Sequence, residues 1–536
     1  MLNRWKAMFL VLLLAGNPIF AQQPPFSIHL KAFSIEGLGG LQSFAFGLDS
    51  GRWLLLGGRL DGLHRRQPFA AFDVAGNNNR IIVVDPAQNK TWTAPLISLS
   101  VDLQEQLSST NMQFYQHGRY LYLVGGYGYH AATDRKKTFG FLTAVDVPAL
   151  VQAVMSGGAV STHFQQIADA EMAVTGGHLK KIYDTYYLVC GNNFDGNYNP
   201  MGNPTYTQVY TNAVKKFRIE DDGNTLKVTH LGKWSDAVNL HRRDLNVVPQ
   251  IMPDGAEAVT AFSGVFQPDA DLPYLNCVDI DSSGYRVNDN FKQYYNHYHS
   301  AVLPAYDAKN RQMHTVFFGG IAQYYRSSGA RIKDDNVPFV KTIACVTRDE
   351  KGNLTENLLE AEMPDYLGAS AELIPAPGLP RFSNGVLKLN DLKEDTTMLG
   401  FVVGGIQSSA PNIFFTNTGT QSQANSSLMQ VYLVKKQSAD LGFTPDQKPG
   451  SLRARVLPNP SNGAFALAID LPHASQVTCM LYDMNGKLLE KKRWKTLSPG
   501  NHHLPVNLKQ ELPAGTYKLM VSNGTEQTTI GLMIQR

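Results

Sequence analysis

The sequence predicts an all-β protein that combines a large unit of six repeated sheets with a small β-sandwich. The 536 residues include 46 Gly and 28 Pro, with 10% aromatic and only 17% charged residues, which is typical of turn-rich β proteins. An apolar strand that ends in a small-residue pair recurs six times, and the final part of the chain has its own pattern of strands and Asn-Gly or Pro-Gly turns. A chain of this length is expected to form two folded units.

The first residues have the pattern of a secretory signal peptide. Arg4 and Lys6 give a positive start, residues 8–15 form a short apolar run, and residues 19–21 (IFA) offer a cleavage site. The apolar run is much shorter than the about 20 residues that span a bilayer. We therefore expect residues 1–21 to be removed on export, and we expect no transmembrane span elsewhere.

The cysteines show neither a CxxC pair nor a Cys/His ligand spacing, and they lie far apart in the sequence. They are Cys190, Cys277, Cys345 and Cys479. We expect all four to be small buried side chains in strands, not parts of a disulfide framework or a zinc site.

Charge is distributed unevenly along the chain. Residues 451–536 hold ten Lys/Arg against five Asp/Glu, whereas residues 22–450 carry a net charge of −4 within the total of +3. Binding of nucleic-acid phosphates depends on clustered Lys and Arg. The mildly acidic main part is a poor candidate for it, so no nucleic-acid partner is expected.

The repeated apolar runs define the large unit. They are residues 53–58 (WLLLGG), 120–126 (YLYLVGG), 186–191 (YYLVCG), 258–264 (AVTAFSG), 314–320 (HTVFFGG) and 399–405 (LGFVVGG). An earlier strand precedes each pair across a turn, and a loop and a third strand such as residues 80–84 follow it. A turn then leads to a fourth strand. Four antiparallel strands per unit, repeated radially, predict a six-bladed β-propeller over residues 22–436.

The two ends of the repeat array predict how the propeller closes. The sixth repeat offers only three strands before the chain leaves it at Lys435, and residues 26–35 form a strand that belongs to no other repeat. Unpaired strand edges are unfavourable. We therefore predict that residues 26–35 pair with residues 428–434 and complete the sixth blade.

The repeat resembles that of the kelch propellers. Twin glycines end an apolar strand, and an Asp-rich turn and a Trp follow downstream, as in Gly57-Gly58 with Asp85 and Trp92. The intervals of 56 to 85 residues exceed the about 50 residues of a kelch unit, so the blades must carry long loops. The pair is Cys190-Gly191 in the third repeat and Ser263-Gly264 in the fourth. The resemblance implies a six-bladed kelch-like β-propeller.

The glycine pairs have a physical role that does not depend on the resemblance. Glycine permits positive φ angles and close approach of another backbone, as is needed where neighbouring blades crowd together. No GxGxxG motif joins a strand to a helix here. We expect these glycines to serve packing, and we do not expect them to bind phosphate.

The tail has a separate organisation. Residues 437–451 are polar and rich in Gly and Pro, as linkers are, and residues 452–536 alternate strands and turns like a small β-sandwich. Three landmarks resemble the type A sorting domain of the type IX secretion system of Bacteroidetes: 458–463 (PNPSNG), 482–487 (YDMNGK) and 512–517 (LPAGTY). The resemblance implies passage across the outer membrane by that machinery, with cleavage and surface attachment left open.

The loops after the small-residue pairs are the candidate binding surface. They are residues 59–79, 127–137, 192–208, 265–272, 321–337 and 406–426. Equivalent loops of a radial repeat share one face around the channel, where pockets are expected, whereas opposite-face turns such as 307–310 are expected to be short. The leading contacts are Tyr129, Asp195, Arg243, His297, His299 and Tyr325. Aromatic rings beside polar groups suit a glycan or protein ligand, although the loops could also simply pack against one another.

Alternatives to a binding module remain open. His297 and His299 lack a recognisable third ligand, so neither a metal nor another cofactor is expected. A glycan-active enzyme, hydrolase or oxidase, could use the same face; a hydrolase would need two opposed carboxylates. The candidate carboxylates are Asp61, Asp195, Asp244 and Asp334. No full ligand set of a galactose-oxidase-like copper centre can be matched, and a purely structural surface protein is the third alternative.

Overall fold

A computed structural model describes residues 23–199, 201, 205–436 and 452–534, without 458, 460, 484, 485, 509 and 510. The signal segment and the linker predicted from the sequence therefore lie outside the described residues. The chain divides into two compact units at Lys436 and Gln437. Among the described residues, no helix has the length and hydropathy that crossing a bilayer requires.

The described residues of the first unit form six antiparallel blades. From the inner to the outer strand, blade 1 is Ala45–Asp49, Arg52–Leu56, Arg80–Asp85 and Lys90–Pro95; blade 2 is Gln113–His117, Tyr120–Val124, Phe141–Asp146 and Phe164–Ala168; blade 3 is His178–Ile182, Thr185–Val189, Ala213–Asp221 and Leu226–Ser235. Blade 4 is Asn246–Ile251, Glu257–Phe262, Cys277–Ile280 and Tyr285–Asn288; blade 5 is Ala301–Asp307, Gln312–Ile321, Phe339–Arg348 and Leu354–Glu362; blade 6 is Tyr366–Pro375, Thr396–Ser408, Leu428–Lys435 and Phe26–Phe33. The predicted all-β propeller is thus confirmed.

Blade 6 closes the propeller as predicted. Phe26–Phe33 pairs antiparallel with Leu428–Lys435 over eight residues, from Phe26 opposite Lys435 to Phe33 opposite Leu428. The strand ends two residues earlier than the predicted 26–35. Two short strands extend the last two blades: Leu387–Lys388 on blade 5 and Ser422–Ala424 on blade 6.

The hydrophobic core lies between the blades. In the described part of the propeller, one apolar cluster fills the space between each pair of neighbours, and the cluster between blades 6 and 1 completes the circle. The second strands are the most apolar because both of their faces are covered; Leu54, Leu55 and Leu56 are all fully buried. All four cysteines are buried, as expected; Cys190 lies just after the strand Thr185–Val189, and the other three lie in strands.

The small-residue pairs join neighbouring blades. The second residue of five pairs donates its backbone N–H to a carbonyl of the next blade: Gly58 to Ser109, Gly126 to Val174, Gly191 to Arg242, Gly264 to His297 and Gly405 to Leu41, at 2.7–3.1 Å. The first residue is left-handed even where it is not glycine, with φ of 58° at Cys190 and 46° at Ser263. The packing role expected for these pairs is thus confirmed.

The face opposite the loops carries two connections that are longer than predicted. Most of its turns are short, but residues 147–163 and 376–395 are long connections. The first contains the α-helix Val147–Ser156, which begins at the N-cap Asp146 and packs against blade 1. The other α-helix of the described residues, Val101–Leu107, precedes blade 2 on the loop side.

The second unit is a β-sandwich. One sheet has the order Arg453–Leu457, Ala464–Leu471, Gly500–Asn507, and the other has Leu488–Leu497, Ser475–Tyr482, Gly515–Ser522, Gln527–Ile534. Seventeen buried side chains, including Leu467, Val477 and Leu532, fill the space between the sheets.

The tail landmarks form turns and ties of this sandwich. The Asn459 side chain accepts from the N–H of Met533 and donates to the carbonyl of Gly531, both at 2.7 Å, so it fastens the first turn to the last strand. The Tyr517 hydroxyl reaches back to the carbonyl of Pro513 at 2.8 Å. The Lys487 N–H donates to the Asp483 carboxylate at 2.9 Å and closes the middle turn.

One partly buried carboxyl makes the stability of blade 5 depend on pH. Glu356 accepts from the N–H groups of Tyr294 and Tyr295 at 2.7 and 3.1 Å, but burial outweighs these bonds and raises its pKa from 4.5 to about 8. The folded protein therefore holds this proton while the unfolded chain loses it, and the resulting stability falls as pH rises from about 4.5 to about 8.

We expect Glu356→Gln to remove this slope. The free energy of unfolding of wild type minus that of the variant should decrease steadily between pH 5 and 8 in urea titrations, because only the wild type must ionise this partly buried group. The buried histidines titrate in both proteins, so their contribution to the pH dependence of the free energy of unfolding cancels in this difference. A difference that is constant with pH would contradict the raised pKa.

Candidate functional site

Six backbone hydrogen bonds form a closed ring around the channel on the loop face. One residue of each blade donates to the preceding one: Asn111 to Ser43, Gly176 to Asn111, Asp244 to Gly176, His299 to Asp244, Ser370 to His299 and Ser43 to Ser370, at 2.7–3.4 Å. All except His299 have left-handed φ angles of 49–66°. Ser, Asn, Gly and Asp suit such positions because Gly lacks a Cβ and the others have short polar side chains. The ring links each blade to the next and surrounds the channel just before the first strand begins in blades 1–5 and within the first strand in blade 6.

A small cavity with a mixed polar and apolar lining lies at this ring. It is lined by ring residues and by residues of the inner strands, among them Gln113, His178, His299 and Glu372. The His299 Nε2 lies 3.1 Å from a Glu372 oxygen, and the His178 ring meets His299 edge-on at 5.0 Å. His178 donates to the carbonyl of Leu245 at 2.8 Å, and burial holds its pKa well below the usual value. His299 thus faces the cavity, but Glu372 already holds it.

His297 lies elsewhere than expected. It is fully buried below the loops, where its Nε2 donates to the carbonyl of Gln293 at 2.9 Å and its Nδ1 accepts the N–H of Gln323 at 3.0 Å. Burial lowers its pKa to about 4, so the ring is neutral at pH 7. Both ring nitrogens hydrogen-bond to the backbone; His297 is therefore a packing residue, contrary to its predicted role as a ligand contact.

Arg243 lies next to the ring and is incompletely satisfied. Its backbone pairs with Val265, and its guanidinium lies over the Phe266 ring, 5.0 Å from the centroid. Asp244 approaches its Nε only to 3.9 Å, too far for a hydrogen bond. Among the described residues this buried Nε has no hydrogen-bond partner, although the side chain as a whole is 19% exposed. A charged group with an unused donor thus lies at the mouth of the channel.

Three tyrosines from two connections surround Arg243. Tyr198, Tyr210 and Tyr298 all lie close enough to Arg243 to interact with its charge. The Tyr210 ring also stacks on His241, with centroids 3.7 Å apart. Burial raises the pKa of all three tyrosines, so their hydroxyls are neutral and able to donate.

Several aromatic residues that were expected to face a ligand pack against one another instead. Phe72 and His64 of blade 1 meet Tyr127 of blade 2 and Phe194 and Tyr198 of blade 3, with ring centroids 4.8–5.8 Å apart. Tyr127 and Phe194 are only 6% and 4% exposed. For these residues the alternative of loop-to-loop packing is correct. They form the wall of the site.

The loops of blades 2 and 3 combine into a further sheet that the sequence did not predict. Its order is Tyr206–Tyr210, Asn192–Gly196, Arg135–Thr138, Tyr127–His130. Tyr129 and Asp195 lie on this sheet. The Tyr129 hydroxyl donates to Asp134 at 2.8 Å, and Arg135 donates to Asp195 at 2.7 Å. Both residues are on the loop face, but each already has a partner.

Tyr325 lies on a separate hairpin above blade 5, formed by Tyr324–Ser327 and Ala330–Lys333. Arg331 of that hairpin covers the Tyr294 ring at 3.6 Å from its centroid. The structure therefore brings Arg243 and His299 together at the ring, and it places Tyr129 and Asp195 on one part of the rim and Tyr325 on another.

The candidate catalytic carboxylates differ in their surroundings. Arg59 holds Asp61 with bonds of 2.6 and 2.7 Å, and hydrogen bonds from Asn412 and Asn336 overcome burial to lower the pKa of Asp334. Burial raises the pKa of Asp244 despite Arg243 and His299 nearby. Within the described residues, no three His, Cys, Asp or Glu side chains are grouped so that they could hold a metal ion.

Comparisons with known proteins identify the tail. Residues 455–535 match the family of secretion system C-terminal sorting domains. No curated protein matches the chain. Among solved structures, YjhT is similar with a TM-score of 0.41 and 11% identity, covering 73% of this chain and 99% of that one. A chain of the cryo-EM structure of RAG in complex with one melted and one unmelted RSS is similar with a TM-score of 0.35 and 11% identity, covering 76% and 99%. Neither likeness says anything about a ligand.

Proposed function

We propose that the chain is an exported kelch-like propeller that binds a glycan or a protein outside the cell, with the ligand on the loop face beside Arg243. The unsatisfied Arg243 side chain is the observation that carries the proposal. The Nε itself has no contact with solvent, but the side chain as a whole is 19% exposed, so a ligand can reach the guanidinium and supply acceptors to its exposed part.

The tail supports the location. A sorting domain of this family implies export by the type IX secretion system to the cell surface or the medium. A binding module for glycans or proteins would there meet the polymers and proteins of the surroundings. The partner of residues 452–536 is, on this proposal, the outer-membrane secretion machinery itself.

The proposed contacts follow from the geometry of the face. Arg243 and His299 form the centre, and Tyr129, Asp195 and Tyr325 form the rim. Large exposed side chains lie on the same loops: Phe69 is 89% exposed and Phe415 66%. Exposed aromatic rings around a polar centre are typical of binding surfaces, in which a few anchors carry most of the energy.

A glycan-active enzyme is the second candidate, and one observation favours it. Asp244 lines the cavity at the ring, and burial raises its pKa, as a general acid in glycoside hydrolysis requires. Incubating captured glycan with the protein separates the two functions. Release of new reducing ends that Asp244→Asn abolishes would establish the enzyme, whereas unchanged glycan would favour the binding module.

We expect substitutions on the loop face to weaken binding. A glycan array and a screen of surface proteins would provide a ligand, and Arg243→Ala, Tyr129→Ala and Tyr325→Ala would then be compared by calorimetry. Losses of about 1–3 kcal/mol are expected at the anchor positions. Tyr183→Ala is the matched control, because this tyrosine is 56% exposed on the opposite-face hairpin of blade 3. Unchanged affinity in all three loop variants would refute this placement of the site.

A further inference from the structure

We infer that the ligand group bound at Arg243 is a carboxylate. This inference rests on the proposed function and narrows it. It follows from what distinguishes Arg243 from the other arginines of the propeller, from the charge of its surroundings and from the donors beside it.

Arg59, Arg242 and Arg348 each donate at least two side-chain hydrogen bonds, although the Nε of Arg348 also has no partner among the described residues. Arg348 makes a two-pronged pair with Asp279 at 2.5 and 3.0 Å, and Arg59 makes one with Asp61. Arg242, next in sequence and fully buried, has no carboxylate, but its Nε donates to the carbonyl of Asn239 at 2.6 Å and an Nη donates to that of Ser263 at 2.7 Å. Arg243 has only nearby tyrosine hydroxyls and the Phe266 ring beside it, and its Nε has no hydrogen-bond partner among the described residues. Its planar fork therefore lacks the planar acceptor that such a group binds best.

The surrounding charge selects a singly charged anion. Asp244 lies 3.9 Å from the Arg243 Nε and offsets part of its charge. A phosphate with nearly two negative charges would be repelled by Asp244 and would find only one arginine to compensate it. A carboxylate carries one charge and two coplanar oxygens, which matches one guanidinium.

Neutral donors and acceptors around Arg243 can hold the rest of the ligand. Tyr198, Tyr210 and Tyr298 lie near Arg243 and offer neutral hydroxyl donors to a ligand bound there.

Two pairs of probes test the inference, each differing only in the carboxylate. One pair is methyl glucuronide and methyl glucoside; the other is the tripeptide Gly-Gly-Phe with a free and with an amidated C-terminus. We expect the acid of at least one pair to bind the full chain at least tenfold more tightly than its neutral partner. The pair that shows the preference identifies the source of the carboxylate as an acidic sugar or a peptide end.

Variants tie the preference to the site. Arg243→Met should abolish it, and Asp244→Asn, which keeps a residue that tolerates the left-handed ring position, should strengthen acid binding about threefold or more by removing a competing charge. Arg286→Met is the matched control on blade 4, since Arg286 is 69% exposed and its side chain meets Asp281; it should leave the preference within twofold.

Three outcomes would overturn the inference: acid and neutral probes that bind equally, an acid preference that survives Arg243→Met, and no binding of any probe at millimolar concentration. The proposed function fails separately. A neutral glycan or protein that binds the loop face without an acid preference would leave that function standing while refuting the carboxylate. Melting temperatures of the variants within about 2 °C of wild type would show that the fold is intact.

Discussion

Gly125→Ala is expected to lower the free energy of unfolding of the propeller by about 3 kcal/mol or more. Gly125 has a φ of 67°, which costs an alanine about 1–2 kcal/mol. An added Cβ would lie 1.9 Å from the carbonyl oxygen of Val174, which must then move. That oxygen accepts the N–H of Gly126 at 3.1 Å, so a hydrogen bond between blades 2 and 3 worth about 1 kcal/mol is lost as well.

Gly118→Ala separates the two causes. Gly118 also has a left-handed φ, 59°, but an added Cβ would meet nothing within 4 Å. The decrease in the free energy of unfolding should therefore be only about 1–2 kcal/mol, the cost of backbone strain alone. Urea unfolding followed by tryptophan fluorescence measures both variants. Equal losses at the two positions would show that close approach of the blades does not explain the glycine pairs.

Deleting residues 451–536 is expected to stop appearance of the protein outside the cell and to leave a folded propeller in the periplasm. The deletion removes the whole segment that matches the sorting-domain family, and the chain divides into separate compact units before it. Quantitative immunoblots of medium, surface and periplasmic fractions would measure the distribution. Arg286→Met in the full chain provides the control, because it changes one exposed propeller side chain and should be exported normally.

The same deletion tests whether the units work separately. The truncated propeller should keep its own melting transition and its affinity for any ligand of the loop face, since none of the proposed contacts lies after residue 436. Normal extracellular levels of the truncated protein would contradict the sorting assignment. Loss of the propeller's melting transition would contradict its independence.

Much of the fold was predictable because it depends on local and repeated signals. Apolar runs such as residues 53–58 mark the second strands, and the spare strand at Phe26–Phe33 marks the closure, because a propeller with an unpaired edge would be incomplete. The tail landmarks were equally visible because Asn459 and Tyr517 act within the tail, through turns and short-range ties.

The site was harder to predict because its geometry depends on contacts between blades. His297 and His299 are two residues apart, yet one is sealed below the loops and the other faces the cavity. The loop sheet that carries Tyr129 and Asp195 pairs strands from two different repeats, and no pattern within a repeat predicts such pairing. The ring left a weak signal in Ser43, Asn111, Gly176 and Asp244, which are residue types that tolerate positive φ.

The sequence correctly predicted that the loops contain polar and aromatic residues, but it did not predict which of these side chains are buried. Phe194 and Tyr127 are aromatic residues of a type that often contacts ligands, but they are buried against each other, with ring centroids 5.2 Å apart. Whether an aromatic ring meets a ligand or a neighbouring ring depends on the distance between loops, and distance is set by the radial arrangement of the blades. The sequence does not distinguish Arg243 from Arg242, although the Nε of Arg242 has a hydrogen-bond acceptor and the Nε of Arg243 has none among the described residues.

Hydrogen–deuterium exchange with and without a captured ligand tests the central claim most directly. We predict that bound ligand slows exchange in the segment around Arg243 and His299 and in the loops 192–199 and 322–337, while opposite-face turns such as residues 183–184 and 308–311 exchange at unchanged rates. Slower exchange confined to those turns, or to the connections 147–163 and 376–395, would place the ligand on the other face and contradict binding on the loop face.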